Sequence, residues 1–307
     1  MDITVILQQM TQFFLIMCLG YILYKIGMIT ADFSKKLTSL VLHVTMPALI
    51  LSSVLTQTGE RNLSEVLVVF GVAIAMYVSL PILGWIVVKI LRFPVNIQGM
   101  YIFMTVFSNV GFMGIPLISA LYGEKAVFYT AIFNLIFNIA VFTIGTRLMN
   151  YKSGKSEKLN FKTFLTPGVC VASLAVVIYF LNIPFPKVVV NSISSVGSIT
   201  TPVAMIMMGA SLAKLDVKNI FNDYRVYLFA VVKQVVLPLG LWPLLNLTIK
   251  NEYILAITMV MLCMPVANNA VLFAVEHNKD EELAAKNIFI STILSIATIP
   301  LIMGFVF

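Results

Sequence analysis

The sequence predicts an all-α polytopic membrane protein, ten transmembrane helices arranged as two inverted five-helix repeats with broken crossing helices 4 and 9. Three observations lead there: an apolar composition, a close succession of spanning-length apolar windows, and a recurring internal offset. Of 307 residues, 60% are hydrophobic and 11% charged, whereas soluble domains carry roughly 45–50% and about 25%. That leaves too little polar surface for a soluble enzyme, a secreted disulfide scaffold or a disordered chain. The net charge of +7 then reads as a topology signal in a lipid bilayer, and no nucleic-acid partner is expected.

In chain order, apolar windows fall at 4–24, 37–56, 64–91, 97–121, 126–148, 163–182, 189–213, 220–248, 253–275 and 285–306. A helix needs about 20 such residues to cross a bilayer. Barrel strands would be about 10 residues of alternating polarity, and no such pattern runs here. The first window is expected to stay as a span, since Asp2 and the lack of Lys or Arg before Lys25 deny it a cleavable signal's basic start. The longest connection, 150–160 (NYKSGKSEKLN), is polar and bisects the chain. It separates a first repeat, 1–149, from a second, 161–307.

Fifteen of the 20 Lys and Arg lie in connections after windows 1, 3, 5, 7 and 9: Lys25, Lys35, Lys36, Lys89, Arg92, Arg147, Lys152, Lys155, Lys158, Lys162, Lys214, Lys218, Arg225, Lys279 and Lys286. The other connections hold one each, Arg61, Lys125, Lys187 and Lys250. Excess Lys and Arg marks the cytoplasmic side. The linker is therefore cytoplasmic and both termini extracytoplasmic.

The two halves match at a nearly fixed spacing. Trp85 and Trp242 are 157 apart, as are the pairs Leu80-Pro81 and Leu237-Pro238, and Glu124 and Glu281. Pro47 and Pro202, in windows 2 and 7, are 155 apart. An odd number of spans per repeat makes the second half enter from the opposite face, an architecture of secondary transporters. The alternative is a pair of similar halves that only pack together.

Window 4 contains Ser108-Asn109-Val110-Gly111-Phe112-Met113-Gly114-Ile115-Pro116, and the 157 spacing carries Ser108 and Asn109 onto Pro265 and Val266, beside Asn268 and Asn269. Proline and glycine interrupt a helix. Breaks at matching places in inverted halves point to a transport site, and half-helix N-termini suit an anion. The plainer alternative is a proline kink with amides bonding between helices. Pro47, Gly114, Pro116 and Pro202 are candidate hinges.

No carboxylate lies deep in a window, which argues against a carboxylate proton relay. Two basic groups do: His43 and Lys233. Lys233 either faces the interior and counters an anionic substrate or snorkels to the interface. His43 is either a coupling group or a hydrogen-bonding structural histidine. Cys18, Cys170 and Cys263 have no CxxC spacing, so neither a metal site nor a cofactor is expected, and they read as small core residues.

These residues resemble the auxin efflux carrier family, which groups plant PIN-FORMED carriers with bacterial malate and malonate permeases. The resemblance rests on Ser108-Asn109-Val110-Gly111-Phe112-Met113-Gly114-Ile115-Pro116-Leu117, on Thr201-Pro202-Val203-Ala204 through Leu212, and on Met264-Pro265 with Phe273-Ala274. It implies scaffold and transport domains, elevator-like movement, a homodimer through the scaffold, and a substrate site at the crossing of helices 4 and 9. Asn109, Gly111, Pro265, Asn268, Asn269 and Lys233 inherit that site. Plant members have proline where this chain has Ser108, and a far longer cytoplasmic loop. A bacterial inner-membrane permease for small organic anions is thus expected rather than an auxin carrier.

The absence of a GxxxxGK[ST] segment argues against ATP as the energy source, leaving a gradient or a coupled ion, H+ or Na+. A sodium symporter of the bile-acid-transporter type stays open as the second reading. An enzyme is not expected, because no nucleophile and base, and no paired carboxylates, fall within membrane reach.

Overall fold

The computed structural model describes residues 3–56, 62–151, 167–181, 183–214 and 223–307. Arg61, Lys152, Lys155, Lys158, Lys162, Lys218 and most of the linker lie outside these residues. The described residues are helical throughout, with no strand beyond one isolated bridge.

In chain order the helices are α1 (Ile3–Lys25), α2 (Ala31–Leu55), α3 (Leu63–Ile90), α4a (Val95–Val106), α4b (Val110–Tyr122), α5 (Glu124–Met149), α6 (Pro167–Leu181), α7 (Lys187–Ala213), α8 (Tyr224–Thr248), α9a (Glu252–Cys263), α9b (Asn269–Glu276) and α10 (Glu281–Val306). Among the described residues, seven are long and apolar enough to cross a membrane: α1, α2, α3, α5, α7, α8 and α10. The expected spans 4 and 9 are each two shorter pieces, and α6 is described over 15 residues. Apolar side chains such as Leu15, Leu67 and Ile82 point outward, as a lipid-facing surface requires.

Helix starts follow local chemistry. A first-turn amide has no helical acceptor, so an Asn, Asp or Thr side chain stands in. Asn62 accepts from Glu65 N at 3.2 Å, Asn251 from Tyr253 N at 3.0 Å, and Asp280 from Leu283 N at 2.9 Å. Thr30 caps α2 through Phe33 N at 3.2 Å. That cap moves the start of α2 to Ala31, ahead of the apolar window at 37, because the amphipathic turn 31–36 buries Ser34 and leaves Lys35 and Lys36 outside. Glu124 and Glu281 open α5 and α10 as read from their spacing.

Three prolines share one device. Five-residue π-helical segments, Val41–Thr45, Val110–Gly114 and Val232–Val236, end two residues before Pro47, Pro116 and Pro238. Proline offers no N–H and crowds the carbonyl four residues back. One extra residue in the preceding turn accommodates both. Pro202 instead sits in the first turn after an interruption of α7 at Ile199.

Packing relates the halves. α1 packs on α7 and α6 on α2; α10 packs on α1 and α5 on α6. The α1–α7 crossing is very close: a Cβ on Gly20 would meet Ile206 O at 2.1 Å, and one on Gly209 would meet Met17 O at 1.9 Å. Of the cysteines only Cys263 is buried; Cys18 is half-buried, and Cys170 is exposed because its turn of α6 faces outward, so the expectation of three core thiols holds for one.

Candidate functional site

The two helix breaks meet. Between α4a and α4b the chain runs extended through Phe107–Asn109, and between α9a and α9b through Met264–Ala267. Ser108 and Val266 form an antiparallel bridge. Asn109 N donates to Pro265 O at 2.8 Å, and Ala267 N donates to Phe107 O at 3.0 Å. Backbone freed from a helix inside a membrane needs such partners, because each unpaired group there costs several kcal/mol. The breaks thus satisfy part of one another's backbone.

Four side chains complete the crossing. Lys233, 2% exposed, donates from Nζ to Ser108 Oγ and to Met264 O, both at 2.8 Å. It therefore ties one break to the other, and among the described residues it has no carboxylate partner. Ser291 Oγ accepts from Val266 N at 3.1 Å, and Gln234 Nε2 donates to Ser291 O at 2.8 Å. Asn109, 3% exposed, reaches Met208 Sδ with Nδ2 at 3.6 Å, while its carbonyl accepts from Gly114 N at 3.0 Å.

A cavity of 280 Å³ opens beside the crossing. Five asparagines line it: Asn109, Asn134, Asn138, Asn268 and Asn269. Gly111 and Phe112 begin α4b there, and Asn268 and Asn269 begin α9b. Among the described residues, the amides of these four have no protein acceptor. A Cβ on Gly111 would meet Met46 Cε at 3.5 Å and Asn134 Oδ1 at 3.9 Å, ordinary contact distances. Among the described residues, His43 is the sole titratable side chain in the lining, and no carboxylate joins it. Its Nδ1 lies 2.9 Å from Ser39 O. Phe137, Phe142, Met46 and Leu42 supply the apolar wall.

The expected site residues therefore divide. Asn109, Gly111, Asn268, Asn269 and His43 share the cavity. Pro265 and Lys233 stand behind it and hold the crossing together. Gly114 and Pro116 lie further along α4b, Gly114 against Met261, while Pro47 and Pro202 sit at helix interruptions outside the lining. Asn134 and Asn138 of α5 were not singled out from sequence. Their signal was a pair of amides four apart in an apolar span, one helical face.

Among the described residues, the arrangement offers amide donors, two half-helix N-termini and no negative charge, which suits an anion. Its volume lies just below the usual range of ligand cavities, roughly 300–1,000 Å³. A model of the family described as membrane transport protein matches residues 5–303. The chain is 22% identical over 293 residues to an uncharacterized transporter of Methanocaldococcus jannaschii, covering 94% of both chains. It is 23% identical over 290 residues to an uncharacterized transporter of Methanothermobacter thermautotrophicus, covering 92% of both. It is 24% identical over 295 residues to a protein of Rhizobium meliloti named "Putative malonate transporter", covering 94% of this chain and 91% of the other.

Proposed function

The chain belongs to the membrane transport protein family, the auxin efflux carriers that its motifs resemble, and from that premise we propose that it is a secondary active transporter of small organic anions, carboxylates of malonate size. The observation that carries the reading is the cavity at the paired breaks, which among the described residues has five asparagines, unpaired half-helix amides and no carboxylate. A carboxylate there would accept from the amides of α4b and α9b and from Asn109 and Asn268. The malonate in the name of the Rhizobium meliloti relative agrees with a small dianion.

Movement is by alternating access in an elevator manner, on ten spans in two inverted five-helix repeats, 1–149 and 161–307. Reciprocal packing of α1 on α7 and α6 on α2 supports that symmetry. The scaffold is α1, α2, α6 and α7, and carries the homodimer contact; α3–α5 and α8–α10 move. Lys233 holds the crossing rigid as it moves, and His43 is the group through which a proton couples. Both termini are extracytoplasmic, in a bacterial inner membrane.

The test is counterflow of labelled malonate into proteoliposomes, with and without sodium, across pH 5 to 8. Counterflow that competes with other small dicarboxylates, and that Asn109→Ala abolishes, is the expected result. No counterflow of any mono- or dicarboxylate would sink the anion reading. Uptake that requires sodium would favour the symporter mechanism instead.

A further inference from the structure

The two repeats differ in how helix 2 or 7 meets helix 5 or 10. In the first repeat, the second half of α2 packs along the first half of α5. At its end the Thr56 hydroxyl donates to the Glu124 carboxylate. The Asn62 amide donates to the Tyr179 hydroxyl at 3.0 Å nearby, so α6 also grips the start of α3. This end of the bundle is closed.

The matching end of the second repeat is open. The 155 spacing of Pro47 and Pro202 carries Thr56 onto Ser211, and the 157 spacing carries Glu124 onto Glu281. Ser211 is exposed near the end of α7, and Glu281 is exposed at the start of α10. Glu281 bonds no side chain among the described residues, its neighbour Glu282 pairing with Lys286 at 2.8 Å. A cleft of 180 Å³ lies where α7 and α10 both border α1, lined by Gly209 and Leu212 of α7, by the face of α10 from Phe289 to Ile296 and by the face of α1 from Phe14 to Tyr21. One turn beyond Ser211, Lys214 donates to Ser34 Oγ at 3.3 Å and lies 5.8 Å from the Tyr24 ring centroid. Among the described residues it has no carboxylate partner. Burial holds its ammonium below the usual lysine range, and Lys35 adds to that.

We propose that Ser211, Lys214 and Glu281 form the closing contact of the opposite transport state. When the cavity turns to the other face, α10 slides onto α7 and the cleft closes. Glu281 then accepts from the Ser211 hydroxyl and the Lys214 ammonium, while Thr56 and Glu124 part. This rests on the alternating-access reading above. The second-repeat contact is the stronger of the two, a charged pair added to the hydroxyl bond of the first.

Cross-linking tests it in proteoliposomes. T56C/E124C and S211C/E281C are each oxidised, with the native cysteines alone as control and disulfides read by mass spectrometry. T56C/E124C should link quickly and S211C/E281C more slowly, and each link should stop malonate counterflow until reduction. No S211C/E281C disulfide after T56C/E124C has gone to completion overturns the proposal, as does a link that leaves counterflow unchanged. A second arm avoids cysteines: K214E should slow counterflow about tenfold by setting like charges together, and K214E/E281K should restore it to within about twofold. A double variant as slow as the single one also counts against the contact. Counterflow by the unmodified protein tests the transport reading separately, and the S211C/E281C disulfide yield decides the contact either way.

Discussion

On the α5 side of the crossing the polar groups face a cavity; on the α10 side their counterparts are sealed. The 157 spacing relates Asn134 to Ser291 and Asn138 to Ser295. The asparagines line open space, while both serines are 0% exposed. Ser291 satisfies Val266 N, whereas the amide of Ser108, its partner in the bridge, has no acceptor among the described residues. Lys233 has Met76 as its counterpart, and Gln234 has Tyr77. One backbone plan thus carries two chemistries: a dry half that fixes the crossing and a wet half that leaves donors for a ligand.

The most damaging change to that division is Lys233→Met, which gives the second half the residue of the first. Ser108 Oγ and Met264 O lose their donor, and unpaired buried groups cost about 1–3 kcal/mol each. Transport should vanish and the melting temperature fall, read by counterflow and a thermal-unfolding scan. A variant that melts like the parent and still transports would refute the bracing role. Next is Gly209→Ala, whose methyl would collide with Met17 O. Prising α1 from α7 should destabilise by about 1–3 kcal/mol or more. By contrast Gly71→Ala, where nothing lies within 4 Å, should change stability by less than about 1 kcal/mol. If the two alanines melt alike, the close crossing is not a structural constraint.

The sharpest pair is Asn134→Ala against Ser291→Ala. The first should weaken malonate about tenfold by losing one hydrogen bond to a charged group, about 1.5–3 kcal/mol, with unchanged melting. The second should lower stability by about 1–2 kcal/mol, through an orphaned Val266 amide, and leave the apparent affinity near its parent value. Equal effects of both on affinity would erase the distinction between halves. The smallest expected effect is that of His43→Gln, which keeps a bond to Ser39 but cannot carry a proton: uptake should lose its response to an imposed proton gradient while the maximal rate changes about twofold or less. An unaltered response to the gradient would remove His43 from coupling.

The breaks were legible because proline and glycine write them in the chain at Gly111, Gly114, Pro116 and Pro265. The 157 spacing even brought Ser108 and Asn109 within one residue of their observed partners, Val266 and Pro265. Asn134 and Asn138 escaped because an amide in an unbroken helix shows nothing of which neighbour it faces. The bonds of Lys233 escaped for a related reason: a lysine eight residues from Arg225 is equally able to reach an interface or an interior, and only the placement of Met264 O settles which. The π-helical segments of α2, α4b and α8 were invisible except as the prolines that follow them.

Those segments have a consequence for reading α8 as a continuous rod. A residue added to one turn offsets all that follows by about 100°, so the stretches Tyr224–Val231 and Leu237–Thr248 run in different phases. No single stripe drawn down the whole span describes either. Deleting one residue between Val232 and Val236 would leave its length and composition almost untouched. It would also rotate one half against the other, and Lys233 could no longer meet the crossing while both halves kept their present neighbours.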